Sequence, residues 1–268
     1  MSGALGRWAY LSCVGLAMLV VVAPLVVIMW AAFFADRILT FPPSGYTLAW
    51  FARAWELQDF AAGFVTSLEV GAVATVGSLA FGVPAALAIE RFPFPGRETV
   101  RQLLLSPMIV PAIVAGAAVY IYFVQLEIAT GFQLAATFTG LAIAHTVIAL
   151  PWTIRLVCAS LATANASSEE AARSLGANAA QTFFLVTLPT IRPGIIAAAM
   201  FSFIASFSDL EKSLFLVGPG KITLPISIVN YLEWNLDSTI AAVATVQILI
   251  IGAALLVSDR YVNLGKAF

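Results

Sequence analysis

Six apolar runs separated by polar stretches define this chain: residues 8–34, 66–89, 103–123, 137–161, 193–217 and 238–257. A helix rising 1.5 Å per residue needs about 20 apolar residues to cross ~30 Å of hydrocarbon. The pattern therefore predicts an all-α integral membrane protein, with residues 1–268 forming one transmembrane domain. The first run follows Arg7 and is longer than the apolar region of a secretion signal. It carries no small-residue cleavage site before Pro24, so it reads as a retained helix. Residues 35–63 form a polar and aromatic connection in which Tyr46, Trp50, Phe51 and Trp55 supply rings suited to a membrane interface. Gly71, Gly77 and Gly82 in the second run suit close helix approach. Pro24, Pro84, Pro107, Pro111 and Pro151 interrupt the apolar runs. Such breaks are tolerated in membranes where neighbouring helices satisfy the freed carbonyls.

The longest polar, helix-like stretch inside the hydrophobic body is Ser167–Pro193. Ser167 followed three residues later by Glu170 predicts a capping box, and Gly176 predicts the left-handed end of a short helix. A second short helix from about Asn178 carries Phe183, Phe184 and Val186 and is expected to stop near Pro189. The physical expectation is a helix–turn–helix on a membrane surface.

Glu170-Ala171-Ala172, then Gly176, then Val186-Thr187-Leu188-Pro189 resembles the EAA signature E-A-A-x3-G-x9-I-x-L-P, with Val186 at the usual isoleucine. That signature belongs to the permease subunits of binding-protein-dependent ABC importers. The resemblance implies a type I ABC importer permease fold, with six transmembrane helices, an N-terminal span around a five-helix core, and a cytoplasmic coupling helix within residues 162–192. It implies that Glu169, Glu170, Ala171, Ala172, Arg173, Gly176, Leu188 and Pro189 couple the chain to an ATPase. The implied partners are a homologous permease, two ATP-binding subunits that hold ATP and Mg, an extracytoplasmic solute-binding protein and membrane lipid. No cofactor is expected on this chain, which would be a non-catalytic subunit of the bacterial cytoplasmic (inner) membrane.

Composition agrees with the pattern: 61% of residues are hydrophobic, 10% are charged, and the mean hydropathy is +0.98. A net charge of −1 gives no support to nucleic-acid binding. With the N-terminus inside, Arg7, Arg91, Arg97, Arg101, Arg155, Arg173, Arg192, Arg260 and Lys266 fall on the cytoplasmic side. Only Arg37, Arg53 and Lys221 fall outside, and Lys212 lies at the edge of the fifth run. This positive-inside bias predicts cytoplasmic termini and a cytoplasmic EAA loop. Cys13 and Cys158 lie in separate runs without metal or redox spacing and read as small lipid- or protein-packed residues.

Little of the remaining sequence suggests chemistry. Gly218-Pro219-Gly220-Lys221 lacks both the first glycine and the Ser/Thr of a phosphate loop, so ATP is expected on another chain. His145 has no carboxylate or cysteine at ligand spacing and reads as a packed or hydrogen-bonded histidine, with no catalytic or metal-binding residue predicted. Asp209, Glu211 and Lys212 lie late in the fifth run. Counted as helix from Pro193, Asp209 stands about 24 Å along the span. Asp209 and Lys212, three residues apart, are predicted to pair, which leaves Glu211 as a surplus carboxylate for a cation on a partner or a substrate. A hydrated outer rim is the alternative. Glu69 is a further substrate-path candidate near the outer end of the second run.

The segments FSFIASFSDLEKSLFLVGPG and ITLPISIVNYLEWNLDSTIAAVAT resemble the second permease of spermidine/putrescine-type systems. A polyamine or similar small amino-bearing solute is the implied substrate. An amino-phosphonate or amino-acid-like solute is the alternative, and a channel or scaffold subunit is the reading from another class.

Overall fold

The computed structural model describes residues 2–38 and 40–262. Among these residues the secondary structure is helical apart from two isolated bridges, Phe34 with Tyr46 and Gly218 with Lys221. The helices are α1 Ser2–Ala31, α2 Ala49–Glu56, α3 Gln58–Arg91, α4 Arg97–Leu105, α5 Ala112–Thr130, α6 Phe138–Thr163, α7 Ala166–Ser174, α8 Ala179–Thr182, α9 Leu188–Phe207, α10 Ser213–Leu216, α11 Leu224–Leu232 and α12 Thr239–Val262. Among the described residues six stretches are long and apolar enough to cross a membrane: Gly6–Ala31, Gln58–Arg91, Ala112–Thr130, Phe138–Thr163, Ala179–Phe207 and Thr239–Ser258.

The chain divides into two compact units, one of residues up to Ala61 with Ile228–Gly252, the other of Ala62–Ser227 with the residues from Ala253 onward. In the first unit, Ala31, Ala32, Trp50, Ala241 and Ala242 form a small core, and the Trp50 indole Nε1 donates to the Phe34 carbonyl at 2.7 Å. This bond anchors an interfacial ring whose polar edge needs a partner once buried. Asp237 gathers the loop before α12: Tyr231 Oη donates to it at 3.0 Å, the Thr239 amide donates at 3.0 Å, and Arg53 lies 3.7 Å away. Burial opposes its charge, but the bonds from Thr239 and Tyr231 and the Arg53 guanidinium outweigh that, holding its carboxyl below the usual value. The apolar side chains of α1, such as Leu16 and Val21, are exposed on the chain, as suits a helix solvated by lipid.

The second unit is built on α6 and α9. Small residues let the helices approach: a Cβ at Gly77 would stand 2.9 Å from the Thr146 side chain, and one at Gly82 would stand 2.6 Å from Thr153. Gly77 and Gly82 therefore let α3 approach α6, and a Cβ at Gly71 would stand 3.0 Å from Phe203 of α9, in line with the close packing expected of these glycines. Ala86, Val157, Leu161, Ile191 and Ala198 form one buried cluster. Val70, Phe123, Leu141, Ala144 and Leu216 form another. Thr153 links the three helices, bonded to Ser78 Oγ at 3.1 Å and Ser202 Oγ at 2.9 Å.

Several boundaries differ from the sequence expectation. The second span begins at Gln58, so part of the expected aromatic connection is helix. The third apolar run does not form one helix from residue 103. Its start is the short α4 and a 3-10 turn, Ser106–Met108, and the crossing helix begins only after Pro111, which cannot donate into a helix. The crossing helix α5 also runs past the expected end at residue 123, to Thr130. The fifth span begins earlier, because the chain passes from α8 through a π turn into α9 without stopping at Pro189, and it ends sooner, at Phe207. The basic residue expected at Lys266 lies outside the described residues.

Candidate functional site

The EAA residues sit on α7 and the turn that follows. Asn165, not Ser167, caps α7: it has extended backbone angles and its side chain accepts from the Ser167 amide at 3.1 Å. The expected Ser167–Glu170 capping box does not form, because Ser167 already lies inside the first turn. The C-terminus matches the expectation. Gly176 has φ +90°, its amide donates to the Arg173 carbonyl at 2.9 Å, and the Ala177 amide donates to Ala172 at 3.1 Å. These two bonds complete a Schellman motif, which favours glycine at the left-handed position.

The side chains of this segment divide by direction. Glu169 is buried and meets the Arg91 guanidinium at the end of α3, at 3.1 Å to Nη2 and 3.2 Å to Nε. Glu170, Ala171, Arg173 and Gly176 are exposed, and Ala172 is half-buried. Leu175 is 91% exposed, a large apolar side chain held out on a polar loop. Sequence reasoning had not singled it out.

Asn178 starts α8 with a full capping box, its side chain accepting from the Gln181 amide and its own amide donating to Gln181 Oε1, both at 2.9 Å. The next five residues, Phe183–Thr187, form a π turn. That turn gives up the tighter helical register just before Pro189, so the missing proline amide interrupts nothing. Phe184 and Leu185 are exposed on it, while Leu188 is half-buried and Pro189 exposed at the start of α9.

At the other end of α9 lies a polar network. The helix stops at Phe207, so Asp209 stands in a turn beyond it rather than within the span as expected. Asp209 is buried and fully engaged. Its Oδ2 accepts from the Ser213 amide at 2.9 Å and from Ser213 Oγ at 3.1 Å, and Lys212 Nζ donates to Oδ1 at 3.2 Å. The predicted Asp209–Lys212 pair is therefore present. His145 of α6, fully buried, joins the network with Nδ1 2.8 Å from Ser206 Oγ and Nε2 3.0 Å from Ser213 Oγ. Both ring nitrogens are thus satisfied, as a buried imidazole requires. Glu211 is exposed. Glu69 pairs with Lys221 across 3.3 Å at an exposed site, and Lys221 also lies 5.2 Å from the Phe138 ring centroid.

The sequence model of the family described as binding-protein-dependent transport system inner membrane component matches residues 78–265. The chain belongs to that family. It is a permease subunit of an ABC importer. Over 232 residues this permease is 28% identical to the putrescine transport system permease protein PotI of Escherichia coli K12, covering 86% of this chain and 81% of that protein. It is 29% identical over 266 residues to the molybdenum transport system permease protein ModB of Mycobacterium tuberculosis H37Rv, covering 94% and 92%. A solved chain from a bacterial ABC transporter involved in import of the acidic polysaccharide alginate superposes with a TM-score of 0.75 at 18% identity, covering 97% of this chain and 98% of that one. The permease thus has the six-helix type I ABC importer fold in a multi-pass membrane protein.

Proposed function

We propose that this permease forms half of the solute path of an ATP-driven importer for a polyamine or similar small amino-bearing solute. Its sister is a homologous permease, its motor two ATPase subunits that hold ATP and Mg, and its donor an extracytoplasmic solute-binding protein. The EAA segment faces the cytoplasm and α7 docks on the ATPase through Glu170, Ala171, Arg173 and Leu175. The observation that carries this reading is the division of α7: Glu169 is bound inward to Arg91 while its neighbours project outward. A helix held at its root to α3 and free at its tip transmits displacement from a partner to the spans. The Schellman turn at Gly176, with Leu188 and Pro189 at the start of α9, fixes the angle of that lever.

The amino-bearing substrate rests on two supports. Glu211 is an exposed carboxylate without an ion pair among the described residues, next to a network in which Asp209 and Lys212 satisfy each other. PotI is named for putrescine and PhnV of Salmonella paratyphi A for 2-aminoethylphosphonate, and both compounds carry an amino group. An amino-phosphonate is accordingly the second reading. The test is ATP hydrolysis by the reconstituted complex with its binding protein, stimulated by putrescine, spermidine or 2-aminoethylphosphonate. Stimulation only by a solute without an amino group overturns the substrate assignment. An impermeant thiol reagent should label a cysteine placed at Ser44 from outside, and labelling only after membrane disruption overturns the orientation.

A further inference from the structure

A pocket of about 260 Å³ opens between α4 and α6, lined among others by Glu90, Arg101, Leu105, Ile154, Arg155 and Cys158. Its two guanidinium groups differ. Arg101 is committed to carboxylates, 2.8 Å from Glu90 and 3.6 Å from Glu98. Arg155 is exposed and has no ion pair among the described residues. It lies eight residues before the end of α6 at Thr163, or about 12 Å inside the helix terminus. An exposed guanidinium without an ion pair on a spanning helix favours an anionic partner, because an uncompensated charge near hydrocarbon is costly.

The surroundings define that partner. Leu105 and Ile154 give the pocket apolar walls. Ala159 and Ala162, exposed on α6, also line it. The other wall, α4, is a short amphipathic helix with Leu103 and Val100 exposed and Arg101 turned toward the pocket. Helices of this kind lie in the headgroup region, and basic pockets between spans on the cytoplasmic side hold anionic headgroups. A charged centre with apolar walls fits a molecule that is anionic at one end and hydrocarbon at the other. We infer that this pocket binds the phosphate of an anionic phospholipid, with Arg155 making the charge-assisted contact and Arg101, fixed by Glu90, shaping the site. The choice of an anionic lipid rests on the cytoplasmic placement proposed above, whereas the phosphate contact does not.

The assembled transporter, purified with its partner chains in nanodiscs, provides the test. Native mass spectrometry should show phosphatidylglycerol retained over phosphatidylcholine. Arg155→Gln should reduce that retention about tenfold or more, the range of a lost charge-assisted bond. Arg155→Lys should keep most of it, and Arg192→Gln, at an exposed basic site elsewhere, should leave it unchanged. Cys158 is a built-in reporter: in a Cys13→Ser background, its alkylation by a membrane-permeant maleimide should slow several-fold with phosphatidylglycerol and not with phosphatidylcholine. Equal retention of both lipids in the wild type overturns the inference even if Arg155→Gln fails to assemble. Protection of Cys158 by inorganic phosphate without retained lipid rejects the lipid source. A crosslink from Cys158 to the sister permease rejects it too, since a protein then covers the pocket. Loss of uptake with lipid retention intact in Glu170→Arg would count for the coupling role and leave the lipid site untouched.

Discussion

The two ends of α9 carry the polar residues of this permease in opposite ways. At its N-terminal end, α7, the π turn and the start of α9 expose Glu170, Arg173, Leu175, Phe184 and Leu185, and among the described residues one ion pair, Arg91–Glu169, ties α7 to the spans. At its C-terminal end, Asp209, Lys212, Ser213, Ser206 and His145 close on one another with short bonds, and Asp209, His145, Ser206 and Ser213 are buried. A buried polar group is costly unless paired, so the closed network is structural: it fixes where α9 stops and how α10 begins. An exposed apolar side chain on a polar loop has no such internal account, and the EAA end is where a partner is to be sought. Asp209, the first acidic residue of the cluster, is thus part of the scaffold, and Glu211 is the one without an ion pair among the described residues.

The largest expected effect attacks the closed end. Asp209→Leu leaves Lys212, mostly buried, without its counter-charge, and should destabilise the permease by about 3–5 kcal/mol, read as loss of assembled complex in detergent or a fall in its unfolding midpoint. Adding Lys212→Met should restore much of that, whereas no rescue would show that the hydrogen bonds to Ser213 dominate. At the open end, Gly176→Pro forces a residue fixed near φ −65° into a position at φ +90°. The expected cost is about 3 kcal/mol, confined to the loop. Uptake should vanish while the spans insert and the complex forms; near-normal uptake would remove the coupling role.

Intermediate in size is Glu211→Gln. If Glu211 meets a cationic solute, uptake should fall roughly 10- to 150-fold, corresponding to about 1.5–3 kcal/mol, with the unfolding midpoint unchanged. Less than about twofold change would make Glu211 a hydrated rim residue. Smallest is the Glu69–Lys221 pair, whose side chains are 47% and 44% exposed. Its removal by Lys221→Met should cost about 0–1 kcal/mol. Asp237 gives a comparable pH test: its carboxyl is held below the usual 3.8, so its stabilisation is present above that value and disappears as pH falls through the lower folded value. Asp237→Asn should flatten the acid limb of the unfolding curve.

Local pattern decided the parts of this protein that depend on neighbours in sequence. Six crossings follow from apolar run length, the end of α7 follows from Gly176, and the EAA spacing marks the segment between α6 and α9. The Asp209–Lys212 pair was legible from its spacing of three residues, although it forms in the turn between α9 and α10 and not on a helix. Tertiary structure decided what depends on distant partners. His145 meets Ser206 and Ser213 across 61 and 68 positions, and Arg91 meets Glu169 across 78. No periodicity in the sequence encodes these meetings. The role of Pro189 also had to come from the fold: a π turn before it had already surrendered the register that a proline breaks. Hydropathy and helix-end chemistry act within a turn or two of chain. Burial, which determines whether a carboxylate is scaffold or free, is set by which helices pack together.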